Sequence, residues 1–101
     1  MITRLAILGA TGSVGTQALD VVRAHPDRLR VTALQAKRQG ASLDRLAAEF
    51  GARSLLGETD LDTFVTADDV DLVLVSTPGI AGLVPTLAAL EAGKSIALAN
   101  K

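Results

Sequence analysis

Leu5-Ala6-Ile7-Leu8-Gly9-Ala10-Thr11-Gly12-Ser13-Val14-Gly15 is the stretch that decides the fold of this 101-residue chain. Four aliphatic residues in succession, Leu5 to Leu8, read as a strand buried on both faces, because a strand with one wet face would alternate apolar and polar residues. Gly9 ends it. Val14, Ala18, Val21 and Val22 then recur at helical spacing, with Gln17, Asp20 and Arg23 elsewhere, so the glycine-rich segment opens an amphipathic helix. That helix should close near His25, since Pro26 disfavours helical geometry at the residue before it. Glycines between a buried strand and a helix let the backbone bend tightly, let a diphosphate approach without Cβ atoms in the way, and let helix and strand pack closely. The helix N-terminus adds free N–H groups and a positive dipole end. Gly9, Gly12 and Gly15, with the hydroxyls of Thr11 and Ser13, are thus candidates for holding a dinucleotide. The spacing G-x-x-G-x-x-G differs from the commoner G-x-G-x-x-G, and no Lys-Ser/Thr follows, which excludes a nucleoside-triphosphate P-loop.

Outward from this turn, strands and helices alternate. Arg30 to Ala36 is a second strand, rich in Val, Thr and Leu. Ser42 suits the N-cap of a helix that buries Leu43, Leu46, Ala47 and Phe50 and stops at Gly51. Ser54 to Leu56 is a short third strand. Residues 58–70 are acidic and weakly patterned, with a short helix expected near Leu61 to Val65. Asp71 to Ser76 is a fourth strand, and a helix from Ile80 to Ala92 buries Leu83, Leu87 and Leu90 and ends at Gly93. Ser95 to Ala99 is a fifth strand. The alternation implies right-handed crossovers. One α/β domain over residues 1–101 is expected, a Rossmann-like doubly wound parallel sheet of order 3-2-1-4-5 with helices on both faces. Its crevice lies beyond the C-terminal ends of strands 1 and 4, so functional residues should cluster at 9–15, 35–39, 76–80 and 99–101.

The end of the second strand selects the dinucleotide. An NAD site places Asp or Glu there to accept from the ribose 2′-hydroxyl. This chain has Gln35-Ala36-Lys37-Arg38-Gln39, with no acid between Asp27 and Asp44. Two cations favour the 2′-phosphate of NADPH, and an arginine can grip it in a fork. Charge is uneven overall: residues 1–53 hold 8 basic and 4 acidic groups, while residues 54–93 hold 7 acids and no base. A net charge of −1 argues against nucleic acid as a partner and suits a small phosphorylated ligand. Only Phe50 and Phe64 are aromatic, too few for stacking on single strands.

The composition excludes other classes. The chain is 49% hydrophobic with no Cys, so it has an aliphatic core and neither disulfides nor a thiolate metal site. The longest uncharged stretch, Leu72 to Leu90, is interrupted by Ser76-Thr77-Pro78-Gly79 and Gly82, so no membrane span is expected. No leader pattern is visible, which points to the cytoplasm. His25, at a helix C-terminus, reads as a surface residue; Asp68, Asp69 and Asp71 read as solvated charge; Lys94 reads as an exposed cap residue. Ser76 to Gly79 ends strand 4 at the crevice, where cofactor contact is geometrically natural.

The segments G-A-T-G-S-V-G-T-Q-A-L-D-V-V-R at 9–23, A-G-L-V-P-T-L-A-A-L-E-A-G-K at 81–94 and I-A-L-A-N-K at 96–101 resemble the N-terminal NADPH-binding domain of the 1-deoxy-D-xylulose 5-phosphate reductoisomerases. The resemblance spans essentially the whole chain, and A-L-A-N-K is its most specific element. It implies conversion of deoxyxylulose phosphate to methylerythritol phosphate with NADPH and a divalent cation, Mn²⁺ or Mg²⁺. Thr11, Gly12, Ser13 and Val14 would line the diphosphate, Lys37, Arg38 and Gln39 would surround the 2′-phosphate, Asn100 would touch the cofactor and Lys101 the substrate. Where the family commonly has Gly-Lys-Asn or Gly-Arg-Asn, this chain has Lys37-Arg38-Gln39. Metal ligands and a catalytic loop would follow Lys101 in the family, so the chain looks like an N-terminal fragment, inactive alone and prone to homo-oligomerise. Alternatives are another NADP-dependent reductase, of aspartate-semialdehyde or dihydrodipicolinate type, and a nonenzymatic dinucleotide-binding module.

Overall fold

A computed structural model describes residues 2–76 and 83–98. Strand β1 (Thr3–Leu8) leads into helix α1 (Ser13–Ala24), then β2 (Leu29–Ala36), α2 (Gly40–Phe50), β3 (Arg53–Leu56), α3 (Leu61–Val65), β4 (Leu72–Val75), α4 (Leu83–Glu91) and β5 (Ser95–Leu98). The strands form one parallel sheet in the order β3-β2-β1-β4-β5, as the alternation of elements predicts. Ala99 lies outside the described residues, as do Ile80 to Gly82.

The central strand explains its own composition. Leu5 and Ile7 pack with Leu19, Leu34 and Leu43 on the side covered by α1 and α2, while Ala6 and Leu8 pack with Phe64, Val65 and Val73 on the other side. Both faces are dry, so no position in Leu5–Leu8 is left for a polar residue. Register shifts once between β1 and β2: Leu5 pairs with Val31 but Ala6 with Ala33, so Thr32 is the extra residue of a bulge. Its hydroxyl donates to the Asp69 carbonyl at 2.9 Å and tethers the segment before β4.

The helices differ from expectation in which residues they bury. In α1 the buried residues are Gly15, Leu19 and Val22, whereas Val21 is 52% exposed. Gly15 must face the sheet for α1 to come close, and positions four and seven residues on follow it inward, which turns Val21 to solvent. Helix α2 starts at Gly40 after Gln39, so Ser42 lies in the first turn and is not the cap. Leu43 is buried, and Leu46, Ala47 and Phe50 are only partly covered. In α4, Leu87 and Leu90 are half exposed and Pro85 and Ala89 are buried, against the expected burial of both leucines, while the side chain of Leu83, the third residue of that expectation, lies outside those described. Its sequence is apolar nearly all round, so periodicity could not choose a face; packing on α3, β4 and β5 selects the small residue.

At the N-terminal end of the sheet, charges are paired rather than simply solvated. The Arg4 guanidinium donates to both Asp71 carboxylate oxygens at 3.0 Å, and its backbone N–H reaches the same carboxylate at 2.9 Å. Arg53 pairs with Asp69 at 2.7 Å and lies over the Phe64 ring. Lys94 is not a free cap residue: its ammonium donates to the Ala67 carbonyl at 3.0 Å. His25 is exposed at the end of α1, as expected.

Candidate functional site

The glycine turn sits at the C-terminal end of β1. Gly9 has φ +80°, a conformation L side chains rarely adopt, and a Cβ there would lie 2.9 Å from the Ser76 hydroxyl. Its carbonyl accepts the Gly12 N–H at 3.2 Å and the Ser76 hydroxyl at 3.2 Å. On the other side, the N–H groups of Gly9 and Ala10 donate to the Gln35 main-chain carbonyl at 2.9 and 2.8 Å. This ties the turn to the end of β2. At Gly15, a Cβ would collide with the Gly9 carbonyl oxygen and lie 2.8 Å from the Ala10 Cα, so close contact of α1 with the turn admits only glycine.

Gly12 differs from both. It is exposed, has φ −78° and ψ 175°, and a Cβ on it would meet only the Gly9 oxygen at an ordinary 3.5 Å. The fold itself does not require glycine here; close approach of a ligand backbone or diphosphate would. Gly12 caps α1 without a side-chain hydrogen bond, and the first turn carries no acid. The helix end therefore presents N–H donors and a positive dipole end to the crevice. Ser13 is exposed beside it, and Thr11 and Val14 are half-buried.

The second cluster lies one strand over. Lys37 and Arg38 are exposed at the end of β2, and Gln39 adopts a left-handed backbone with φ 64°. The Lys37 ammonium lies 3.4 Å from the Glu58 carboxylate, so an acid from the turn after β3 shares one of the two cations. Arg38 forms no ion pair among the described residues. Thr11 and Gln39 together line an open groove of about 410 Å³ between α1 and α2, with Thr16, Ser42, Arg45 and Leu46. Sequence reasoning missed Arg45 and Glu58, and it placed Gln35 in the 35–39 cluster without foreseeing its burial. Arg45 had a signal, three residues after Ser42 near the start of α2; Glu58 had none, because only strand order brings it beside Lys37.

Ser76 faces inward: its hydroxyl donates to the Leu8 carbonyl at 2.6 Å as well as to Gly9, so it frames the turn. Thr77, Pro78 and Gly79 lie outside the described residues, as do Asn100 and Lys101. One carboxylate with displaced titration, Glu49, lines the groove between α1 and α2, and hydrogen bonds from Arg23 hold it below the usual carboxylate range. Hydrogen bonds from Arg4 bring Asp71 down to about 2, and those from Arg53 lower Asp69, both at the opposite end of the sheet. Among the described residues no group of three or more His, Asp or Glu side chains could hold a metal ion, and no helix is long and apolar enough to cross a membrane.

The model of the 1-deoxy-D-xylulose 5-phosphate reductoisomerase family matches residues 5–56 and 49–101. The reductoisomerase of that name from Leifsonia xyli subsp. xyli is 48% identical over 101 residues, 99% of this chain and 28% of the relative. A solved DOX-P reductoisomerase in complex with magnesium superposes with a TM-score of 0.91 at 35% identity, over 99% of this chain and 31% of that one. Another, in complex with NADPH, fosmidomycin and magnesium, superposes with a TM-score of 0.88 at 36% identity, over 98% of this chain and 30% of that one. The chain thus spans about 30% of the length of the relatives it matches. With the sheet order, the glycine turn and both halves of the sequence in agreement, the chain belongs to the 1-deoxy-D-xylulose 5-phosphate reductoisomerase family.

Proposed function

We propose that residues 1–101 form the NADPH-binding domain of a reductoisomerase that converts 1-deoxy-D-xylulose 5-phosphate into 2-C-methyl-D-erythritol 4-phosphate, on the route to isoprenoid precursors. Gly12 carries this proposal: the fold has room for a Cβ at that position, so the glycine answers to a ligand. When bound, NADPH supplies the hydride. The chain's own residues bind and orient it. The N–H end of α1, with Thr11, Gly12, Ser13 and Val14, receives the diphosphate, while Gly9 and Gly15 shape the turn. Arg38 takes the 2′-phosphate as the unshared cation of its loop, with Lys37 and Gln39 beside it. Asn100 would meet the cofactor and Lys101 the sugar phosphate. The divalent cation, Mn²⁺ or Mg²⁺, finds no ligand set among the described residues, and no step here runs through it. This function implies a cytoplasmic homo-oligomer with small phosphorylated partners and neither nucleic acid nor membrane. Titration calorimetry of the chain with each cofactor tests the assignment: NADPH should bind more tightly than NADH, and equal affinities would overturn it.

A further inference from the structure

Gln35 is 1% exposed and is, among the described residues, the buried side chain that is polar. Its strand neighbours Leu34 and Ala36 are buried and aliphatic. An aliphatic side chain would fill the position without burying a carboxamide, which is costly unless both ends are hydrogen-bonded. Both are. The amide oxygen accepts the Gly9 N–H at 2.9 Å, and the amide nitrogen donates to the Gly57 carbonyl at 2.6 Å. The main-chain carbonyl of the same residue also accepts from Gly9 and Ala10. From the opposite side, Gly12 and Ser76 hold the Gly9 carbonyl. The Gly9 residue is therefore clamped at its N–H and at its C=O, and its orientation sets where Gly12 and the start of α1 stand. On the far side, Gly57 is held twice over, since its N–H donates to the Ala36 carbonyl at 2.8 Å. The next residue is Glu58, the partner of Lys37.

We infer that Gln35 is a positioning residue of the dinucleotide site. Its carboxamide presets the glycine turn to receive the diphosphate and locks to it the Gly57–Glu58 turn beside the 2′-phosphate loop. This rests on the NADPH assignment above. A preset turn binds more tightly because less ordering remains to be done when the ligand arrives.

The diphosphate is common to NADPH and NADH, so loosening the turn weakens both, whereas losing a 2′-phosphate cation weakens one. Gln35→Met keeps the side-chain length and removes both polar ends. Calorimetry should show NADPH and NADH each bound about tenfold more weakly, the scale of one net hydrogen bond. Amide exchange at Gly9 should accelerate while Ala6 to Leu8 stay protected. Unchanged affinity in a variant with those strand amides protected overturns the inference, as does a loss confined to NADPH. If Gln35→Met loses the protection of β1, Gln35→Asn takes its place, with the same outcomes supporting or overturning the inference. It keeps the carboxamide but is one methylene too short to span Gly9 and Gly57. Failure of the unaltered chain to bind either cofactor overturns the NADPH assignment itself, and the inference with it.

Discussion

Gly12 and Gly15, on either side of the start of α1, separate the proposed binding role from the demands of folding. Gly15→Ala pushes a methyl group into the Gly9 carbonyl, and the neighbour is backbone, which cannot swing aside. Overpacking of this kind costs about 1–3 kcal/mol, so the melting temperature should fall by at least about 5 °C. Gly12→Val fits the observed backbone, and its melting temperature should stay within about 2 °C of the unaltered chain on the same scale. It should nonetheless weaken NADPH and NADH alike by crowding the diphosphate; calorimetry and thermal melts of the pair check both halves. Arg38→Ala acts on selectivity alone. The preference for NADPH over NADH should shrink by about 1–3 kcal/mol, the scale of a hydrogen bond to a charged group. Glu58→Gln should move the other way and tighten NADPH modestly, because Lys37 is then released to the 2′-phosphate. A weaker NADPH complex in that variant would contradict the assignment of Lys37.

Among the elements, β1 and β4 are joined at their N-terminal ends by Arg4 and Asp71, and that junction titrates. The Asp71 carboxyl is lowered from an ordinary 3.8 to about 2 by hydrogen bonds from the Arg4 side chain and backbone. A carboxyl depressed in the folded state stabilises the fold above its unfolded value and loses that contribution as the pH falls through the folded one. The window is therefore from about 4 down towards 2, with Asp69 contributing in the same direction through Arg53. Thermal melts across this range should fall more steeply for the unaltered chain than for Asp71→Asn, and parallel curves would show that the pair adds nothing. The short helix α3 has the opposite character. Its five residues are too few to hold a helix alone, yet Leu61, Phe64 and Val65 are all buried, so packing rather than propensity forms it.

At the scale of the molecule, the sheet has two edges, β3 and β5. Large apolar side chains stand exposed at both: Leu56 on β3, Leu87 and Leu90 on α4, and Leu98, 66% exposed, on β5. An apolar strand edge invites pairing with another copy. Sedimentation velocity of the chain should show concentration-dependent association, reduced in Leu98→Lys; a monomer at all concentrations would contradict it. Assayed with deoxyxylulose phosphate, NADPH and Mn²⁺, the chain alone should bind the cofactor without oxidising it.

The order of the sheet and the glycine turn between β1 and α1 were legible in the amino-acid sequence. A strand dry on both faces can hold only apolar residues, and a helix entering so close to its strand needs glycine where the two touch, so both facts are written locally as Leu5–Leu8 and as Gly9 and Gly15. The existence of α3 was legible too, weakly, in Leu61 to Val65. The tertiary structure alone decided which faces of α1 and α4 turn inward, because Val21, Leu87 and Leu90 are apolar residues competing with other apolar residues for the sheet, and shape rather than hydrophobicity settles that contest. It also decided that Gln35 links two turns, that Glu58 shares Lys37, and that Lys94 reaches Ala67. Those pairs are 22, 21 and 27 residues apart along the chain, and only the side-by-side setting of parallel strands brings them within hydrogen-bonding or ion-pairing reach.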